Sequence, residues 1–209
     1  MGEKEIITFS VAMLAITNPI GNLAIFAGLT GSKSPEEKKH TALVAGAAIL
    51  VILLLVTWSG ELILNAFGIS VPAFETAGGL IIALIGLSML HAKTSPIHHT
   101  PEEKEEAKTK DSVAVVPIAI PIVAGPGAIT TIVVAAQKFG TVEDKIAISV
   151  VSIAISLLLW ICFYFSGPVS RLLGVTGINI VTRIMGIILA AIAFQMLTDG
   201  LKALLPGLA

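Results

Sequence analysis

Charge is scarce in this sequence. Asp, Glu, Lys and Arg make up 13% of its 209 residues, against about 25% in a soluble domain. A water-facing shell of charge is therefore excluded, and a mean hydropathy of +0.95 puts the chain in a bilayer. The few charges nearly cancel, for a net −1, so no basic face exists to hold the phosphates of a nucleic acid. Cysteine is scarcer still. Cys162 stands alone inside an apolar run, which rules out a disulfide framework within the chain and leaves a small lipid- or helix-facing group. No G-x-x-x-x-G-K-S/T run is present, so ATP does not drive the protein directly. The apolar runs contain no paired carboxylates, no His pair and no Ser/Lys dyad. An intramembrane enzyme would lack its chemistry, and neither a cofactor nor a metal site is expected.

What the chain has is long apolar runs. Six are long enough to cross about 30 Å of hydrocarbon, near residues 5–29, 41–66, 70–91, 112–137, 146–172 and 178–203. Strands with two apolar faces would leave unpaired backbone in lipid, so the expected fold class is an all-α membrane protein with six transmembrane helices. The N-terminal run follows Lys4 as a signal peptide would, but it lacks an A-x-A-like cleavage site and continues past Pro19, as a retained span does. Gly2 lacks the downstream Ser or Thr that N-myristoylation requires. Lys4, Lys138, Lys145 and Lys202 fall on one side of the membrane. Lys33, Lys38, Lys39, Lys93, Lys104, Lys108, Lys110, Arg171 and Arg183 fall on the other. The richer side is expected to be cytoplasmic, with both termini outside.

A shift of 107 residues, the separation of Pro19 and Pro126, lays the chain on itself without a gap. Glu36-Glu37-Lys38 then meets Glu143-Asp144-Lys145, Ser59-Gly60 meets Ser166-Gly167, Gly79 meets Gly186, and Met89-Leu90 meets Met196-Leu197. Each copy holds an odd number of spans, so the copies must face opposite ways. The expected organisation is a first three-helix repeat at 1–92, a polar cytoplasmic linker at 93–111, and a second, inverted repeat at 112–209. The linker contains Thr100-Pro101-Glu102-Glu103, a helix start with Thr100 as N-cap. His98 and His99 precede it as solvated residues rather than as a metal site. Ser34-Pro35-Glu36-Glu37 and Thr141-Val142-Glu143-Asp144 open the second and fifth spans as N-caps with acidic first turns. Gly79, Ala83 and Gly86 in the third span, with Gly186, Ala190 and Ala193 in the sixth, form small faces suited to close helix packing or to ligand space.

Two breaks fall at mid-membrane in equivalent positions. Thr17-Asn18-Pro19-Ile20-Gly21-Asn22 interrupts the first span, and Ala124-Gly125-Pro126-Gly127-Ala128-Ile129-Thr130-Thr131 the fourth. Proline removes a backbone donor and clashes with the preceding turn, and glycine loosens the chain beside it. The first and fourth helices are therefore expected to be discontinuous, as in secondary transporters built from inverted repeats. Free N–H groups at 20–23 and 127–130 would form positive poles, and free carbonyls near 14–17 and 121–124 negative ones. A small zwitterion satisfies both. Asn18, Asn22, Thr130 and Thr131 can complete its shell, and Gly21, Gly125 and Gly127 leave little bulk around it. With no charged cluster at that depth, a small neutral amino acid fits best. Glu75 and Arg183 are the charges inside the third and sixth spans. Across a pseudo-two-fold they could approach and act in gating or coupling, or they could snorkel to opposite interfaces. Asp199 is expected near an interface.

The segments Asn18-Pro19-Ile20-Gly21-Asn22, Gly68-Ile69-Ser70-Val71-Pro72-Ala73-Phe74, Ala119-Ile120-Pro121, Ala124-Gly125-Pro126-Gly127-Ala128-Ile129-Thr130-Thr131 and Thr182-Arg183-Ile184-Met185-Gly186 resemble those of the MarC family of prokaryotic inner-membrane proteins. The resemblance covers essentially the whole chain. It implies two inverted repeats with substrate held at the broken first and fourth helices, where Asn18, Pro19 and Gly21 match one motif and Gly125, Pro126 and Gly127 the other. One branch, the SnatA-type proteins, transports glycine, alanine and similar small neutral amino acids. Glu75-Thr76 departs from the basic residue that many relatives carry before the Gly-Gly pair. The expected function is a secondary active transporter of small neutral amino acids working by alternating access. Protons or sodium would be the coupling ion and lipid the surrounding partner; homo-oligomerisation stays open. The rivals are export of other small metabolites, a channel using the breaks as constrictions, and a membrane protein that transports nothing.

Overall fold

The computed structural model describes residues 1–90 and 123–208. The linker at 93–111, the helix expected from Thr100, His98 and His99, the Ala119-Ile120-Pro121 segment and the first half of the fourth span lie outside the described residues. Every regular element among the described residues is helical.

The first span is two helices, α1 (Glu3–Thr17) and α2 (Pro19–Leu29), parted by Asn18 alone. Ser34 then opens α3 (Pro35–Ala66) as the sequence requires. Its hydroxyl accepts from the Glu37 N–H, and the Glu37 carboxylate accepts from the Ser34 N–H. With 32 residues, α3 is about 48 Å long, so it outreaches the hydrocarbon and begins before the apolar run does. Helix α4 (Val71–Leu90) completes the first three spans. In the second half, α5 (Pro126–Phe139) is the part of the fourth span after its proline. Helix α6 (Val142–Tyr164) starts from a Thr141–Asp144 capping box. It stops eight residues short of the expected end. Helix α7 (Ser166–Leu204) follows at once, breaks at Gly174 (φ 60°, ψ 176°), and is followed by a single 3-10 turn at Pro206–Leu208. The apolar Leu172 and Leu173 that extended the fifth span on paper therefore belong to a short segment before the sixth.

Five stretches among the described residues are long and apolar enough to cross a membrane, namely Glu3–Leu29, Pro35–Ala66, Val71–Leu90, Val142–Tyr164 and Ser166–Leu204. Leu55, Leu62, Leu157 and Phe194 stand exposed on their outer faces. Large apolar patches of this kind need a lipid solvent.

Two helix pairs hold the bundle together. Helices α4 and α7 run antiparallel with their backbones in contact. A Cβ on Gly79 would lie 2.9 Å from the Leu197 nitrogen and 3.0 Å from the Ala193 oxygen, and one on Gly86 would lie 3.0 Å from the Gly186 oxygen. In lipid no hydrophobic effect drives helices together, so dispersion across such close approaches carries the association. The small faces are thus used for packing. Helices α3 and α6 are also antiparallel, with Gly46 against Trp160 at one level and Trp58 donating to the Ser149 hydroxyl (3.2 Å) at another. Stacked rings of Phe26 and Phe163, 4.7 Å apart, join α2 to α6.

Candidate functional site at the two helix breaks

Asn18 makes the first break with its own backbone. It adopts the left-handed conformation (φ 38°, ψ 64°), the only non-glycine residue to do so among those described. Its N–H ends α1 on the Leu14 carbonyl, and its side-chain oxygen accepts from the Gly21 N–H at 3.1 Å to start α2. Asn22 closes the other side, donating from its amide to the Thr17 carbonyl at 2.8 Å. Thr17 is fully buried and donates back to the Met13 carbonyl. The expected positive pole at 20–23 is therefore largely spent: Gly21 is capped by Asn18, and the Asn22 N–H bonds the Asn18 carbonyl. Ile20 is left as the N–H without a partner among the described residues. Gly21 is fixed by the same cap, because a Cβ there would fall 2.0 Å from the Asn18 amide nitrogen.

The second break is different. Its N-cap is Gly125, in extended backbone and with no side chain to offer, followed by Pro126 at N1. The Ile129 N–H returns to the Gly125 carbonyl, while the Gly127 and Ala128 N–H groups have no partner among the described residues. Ala124, Gly125, Gly127 and Ala128 are all buried. Thr130 and Thr131 donate to the carbonyls of Pro126 (2.8 Å) and Gly127 (2.9 Å). Their one proton is committed, so toward a ligand their oxygens can only accept. Among the described residues this half-helix keeps two open N–H groups against one at the first break, which makes it the stronger candidate anion pole of the two.

The two breaks meet. A Cβ on Gly127 would lie 3.5 Å from Ile16, two residues before Asn18, and 3.1 Å from Ile82 of α4. Helix α4 also supplies Gly78, where a Cβ would collide with Thr130 at 2.0 Å. Gly78 and Ile82 were not singled out from the sequence, although the Gly78-Gly79 pair marks the one place where the third span could admit a neighbour on both sides.

Glu75 and Arg183 are not brought together. Thr76 lies level with Gly200, whereas Gly186 lies level with Leu90. At 1.5 Å per residue the two charges are more than about 20 Å apart along the helix pair. Arg183 is exposed nine residues after the Gly174 break in α7, as a snorkelling side chain would be. Glu75 shares a cleft at the opposite end with Lys138 and Asp199. Ser152 and Ser156 of α6 are a further feature missed from the sequence. Both hydroxyls are buried without a hydrogen-bond partner among the described residues, and nothing in an apolar run flags that in advance.

Comparison with known proteins comes to the same segments. Residues 3–205 match the MarC family integral membrane proteins. A UPF0056 membrane protein of Buchnera aphidicola (subsp. Schizaphis graminum) is 39% identical over 202 residues, 97% of this chain and 94% of its own length. The UPF0056 membrane protein YhcE of Escherichia coli is 32% identical over 200 residues, covering 96% and 93%. The UPF0056 inner membrane protein MarC of Salmonella paratyphi B is 33% identical over 201 residues, covering 91% and 90%. No solved structure matches.

Proposed function

We propose a transport function for this chain, which belongs to the MarC family of integral membrane proteins. It acts as a secondary active transporter of small neutral amino acids, of the glycine and alanine class handled by the SnatA type, and is a carrier rather than an enzyme. The observation that carries this is the meeting of two broken helices at Ile16 and Gly127, with the Gly127 and Ala128 N–H groups beside them without a partner among the described residues. A carboxylate fits those N–H groups. An ammonium group fits the Thr130 and Thr131 oxygens, which have only lone pairs left to offer, and the carbonyls of Ala15 and Ile16. Proline at position 19 withholds the N–H that the Ala15 carbonyl would otherwise receive. A substrate with a small side chain is favoured because Ile82 and Ile16 close in on Gly127.

Alternating access needs two halves that can exchange roles, and the α4–α7 contact supports that organisation. Gly79 meets Ala193 while Gly86 meets Gly186. Under the 107-residue shift Gly79 corresponds to Gly186 and Gly86 to Ala193, so the two contacts are one contact seen from either partner. Such reciprocity is what a two-fold axis produces, and its antiparallel sense agrees with inverted copies. Like the Salmonella relative, the chain resides in the inner membrane, and a proton or sodium gradient supplies the driving force.

The test is counterflow in proteoliposomes. With unlabelled alanine or glycine inside, labelled amino acid outside should accumulate transiently and saturably. Gly127→Leu should abolish this, because the side chain fills the space before the unpartnered N–H groups. Uptake that only equilibrates would indicate a channel. Absence of uptake by folded, inserted protein would remove the substrate class.

A further inference from the structure

Four helices, α1, α4, α5 and α7, leave between them a cleft of about 320 Å³ that opens at the end of the molecule carrying the N-terminus. Lys138, Glu75 and Asp199 stand at its rim, Gln195 a turn below, Ala135 on its wall and Thr131 at its floor. Thr131 lies eight residues before the end of α5, so the floor is about 12 Å deep, nearly half of a hydrocarbon layer of about 30 Å. It is also one helical turn from Gly127, and its hydroxyl is hydrogen-bonded to the Gly127 carbonyl. The cleft thus runs from the membrane surface to the second break.

Its polar groups say what fills it. Gln195 is exposed and donates to both carboxylate oxygens of Asp199, at 2.9 and 3.0 Å. On a lipid-facing wall an amide and a carboxylate at this depth would be desolvated at several kcal/mol. Among the described residues, no ion pair joins Lys138 to Glu75 or Asp199, although all three line one opening. Charges that share a mouth without pairing are charges held by water. We infer that this cleft is a water-filled access route, by which a small zwitterionic solute entering from the N-terminal side reaches the second helix break at Thr131. The water-filled route stands on the cleft and on the polar groups at its rim and floor, its walls being largely apolar; its occupant rests on the transport function proposed above.

Sided thiol labelling separates the two. In full-length Cys162→Ala protein in sealed vesicles, Thr131→Cys, Ala135→Cys and Gln195→Cys are treated with a membrane-impermeant charged maleimide. Lys4→Cys marks the N-terminal side, and Leu157→Cys, exposed on the outer face of α6, serves as the lipid-facing control. A thiol in hydrocarbon forms little thiolate and reacts slowly. The three cleft positions should react at least tenfold faster than Leu157→Cys, and from the same side as Lys4→Cys. Rates no faster than the control, or reaction from the opposite side only, would overturn the route. Gln195→Cys replaces an exposed residue and keeps the test decisive if a deeper variant fails to fold. Saturating alanine should slow labelling of Thr131→Cys several-fold. Fast labelling without that protection would leave the route standing and overturn the proposed solute.

Discussion

Replacing Asn18 tests how the first break is built. Two separate demands fall on this residue: a left-handed backbone at φ 38° and a side-chain cap on the Gly21 N–H. Alanine in the left-handed region is disfavoured by about 1–2 kcal/mol. Loss of an N-cap costs about 0.5–2 kcal/mol. Asn18→Ala fails both demands and should lower stability by about 1.5–4 kcal/mol. Asn18→Gly fails only the second, since glycine enters the left-handed region freely, and should cost about 1–2 kcal/mol less than alanine. Gly21→Ala attacks the cap from the other side, because its Cβ would displace the Asn18 amide from 2.0 Å away; it should approach the cost of the cap alone. Equilibrium unfolding in mixed dodecylmaltoside–SDS micelles, followed by far-UV circular dichroism, gives the three values in one assay. Equal losses for Asn18→Ala and Asn18→Gly would refute the backbone argument, and a stable Gly21→Ala would refute the cap.

The helix contacts make sharper claims about single methyl groups. Gly186→Ala places a Cβ 2.9 Å from the Gly86 oxygen, which is backbone and cannot turn aside, so a loss of about 1–3 kcal/mol is expected in the same unfolding assay. Gly28→Ala meets nothing within 4 Å inside a helix and should stabilise by about 0.4–1 kcal/mol; the reverse order of the two would remove the α4–α7 contact. Ser156→Ala deletes a buried hydroxyl that has no partner among the described residues and should leave stability unchanged or raise it, whereas a loss above about 1 kcal/mol would mean that the hydroxyl is bonded.

Local signals in the sequence were read correctly where they act through the backbone alone. Ser34-Pro35-Glu36-Glu37 and Thr141-Val142-Glu143-Asp144 both form capping boxes, and Asn18-Pro19 does part the first helix. Hydropathy failed at Phe165. The residues on both sides of that turn are as apolar as a span, so the end of α6 had no signature, whereas the break at Gly174 falls in the gap expected between the fifth and sixth spans. The site was half legible. Proline and glycine announced both breaks, yet nothing in the sequence said that Asn18 and Asn22 would satisfy the first break themselves while Gly125 offers the second no side-chain cap. That difference depends on a side chain folding back on its own turn. Contacts between spans were the least legible part. In lipid, an apolar residue gives no hint of whether it meets a neighbour or a hydrocarbon tail, so Gly78 against Thr130 and the separation of Glu75 from Arg183 emerge only in three dimensions.

The charged rim of the cleft has no like-charged counterpart at the positions that the 107-residue shift pairs with it. Under the 107-residue shift, Glu75 corresponds to Thr182, Lys138 to Gly31 and Gln195 to Ser88. If the halves of the proposed carrier exchange roles, the opposite entrance has Arg183 beside the counterpart of Glu75 and none of the rim's own charges, so a dipolar solute meets a different orienting field on each side. The two faces of the carrier would then differ in capture rate and in half-saturation concentration. Yet a closed cycle ties the product of its forward rate constants to that of its reverse ones, so an uneven pair of doors can make exchange faster in one sense without moving the equilibrium. On the proposed transport function, net flux is left to the gradients, and the rim decides only how quickly the protein responds to them.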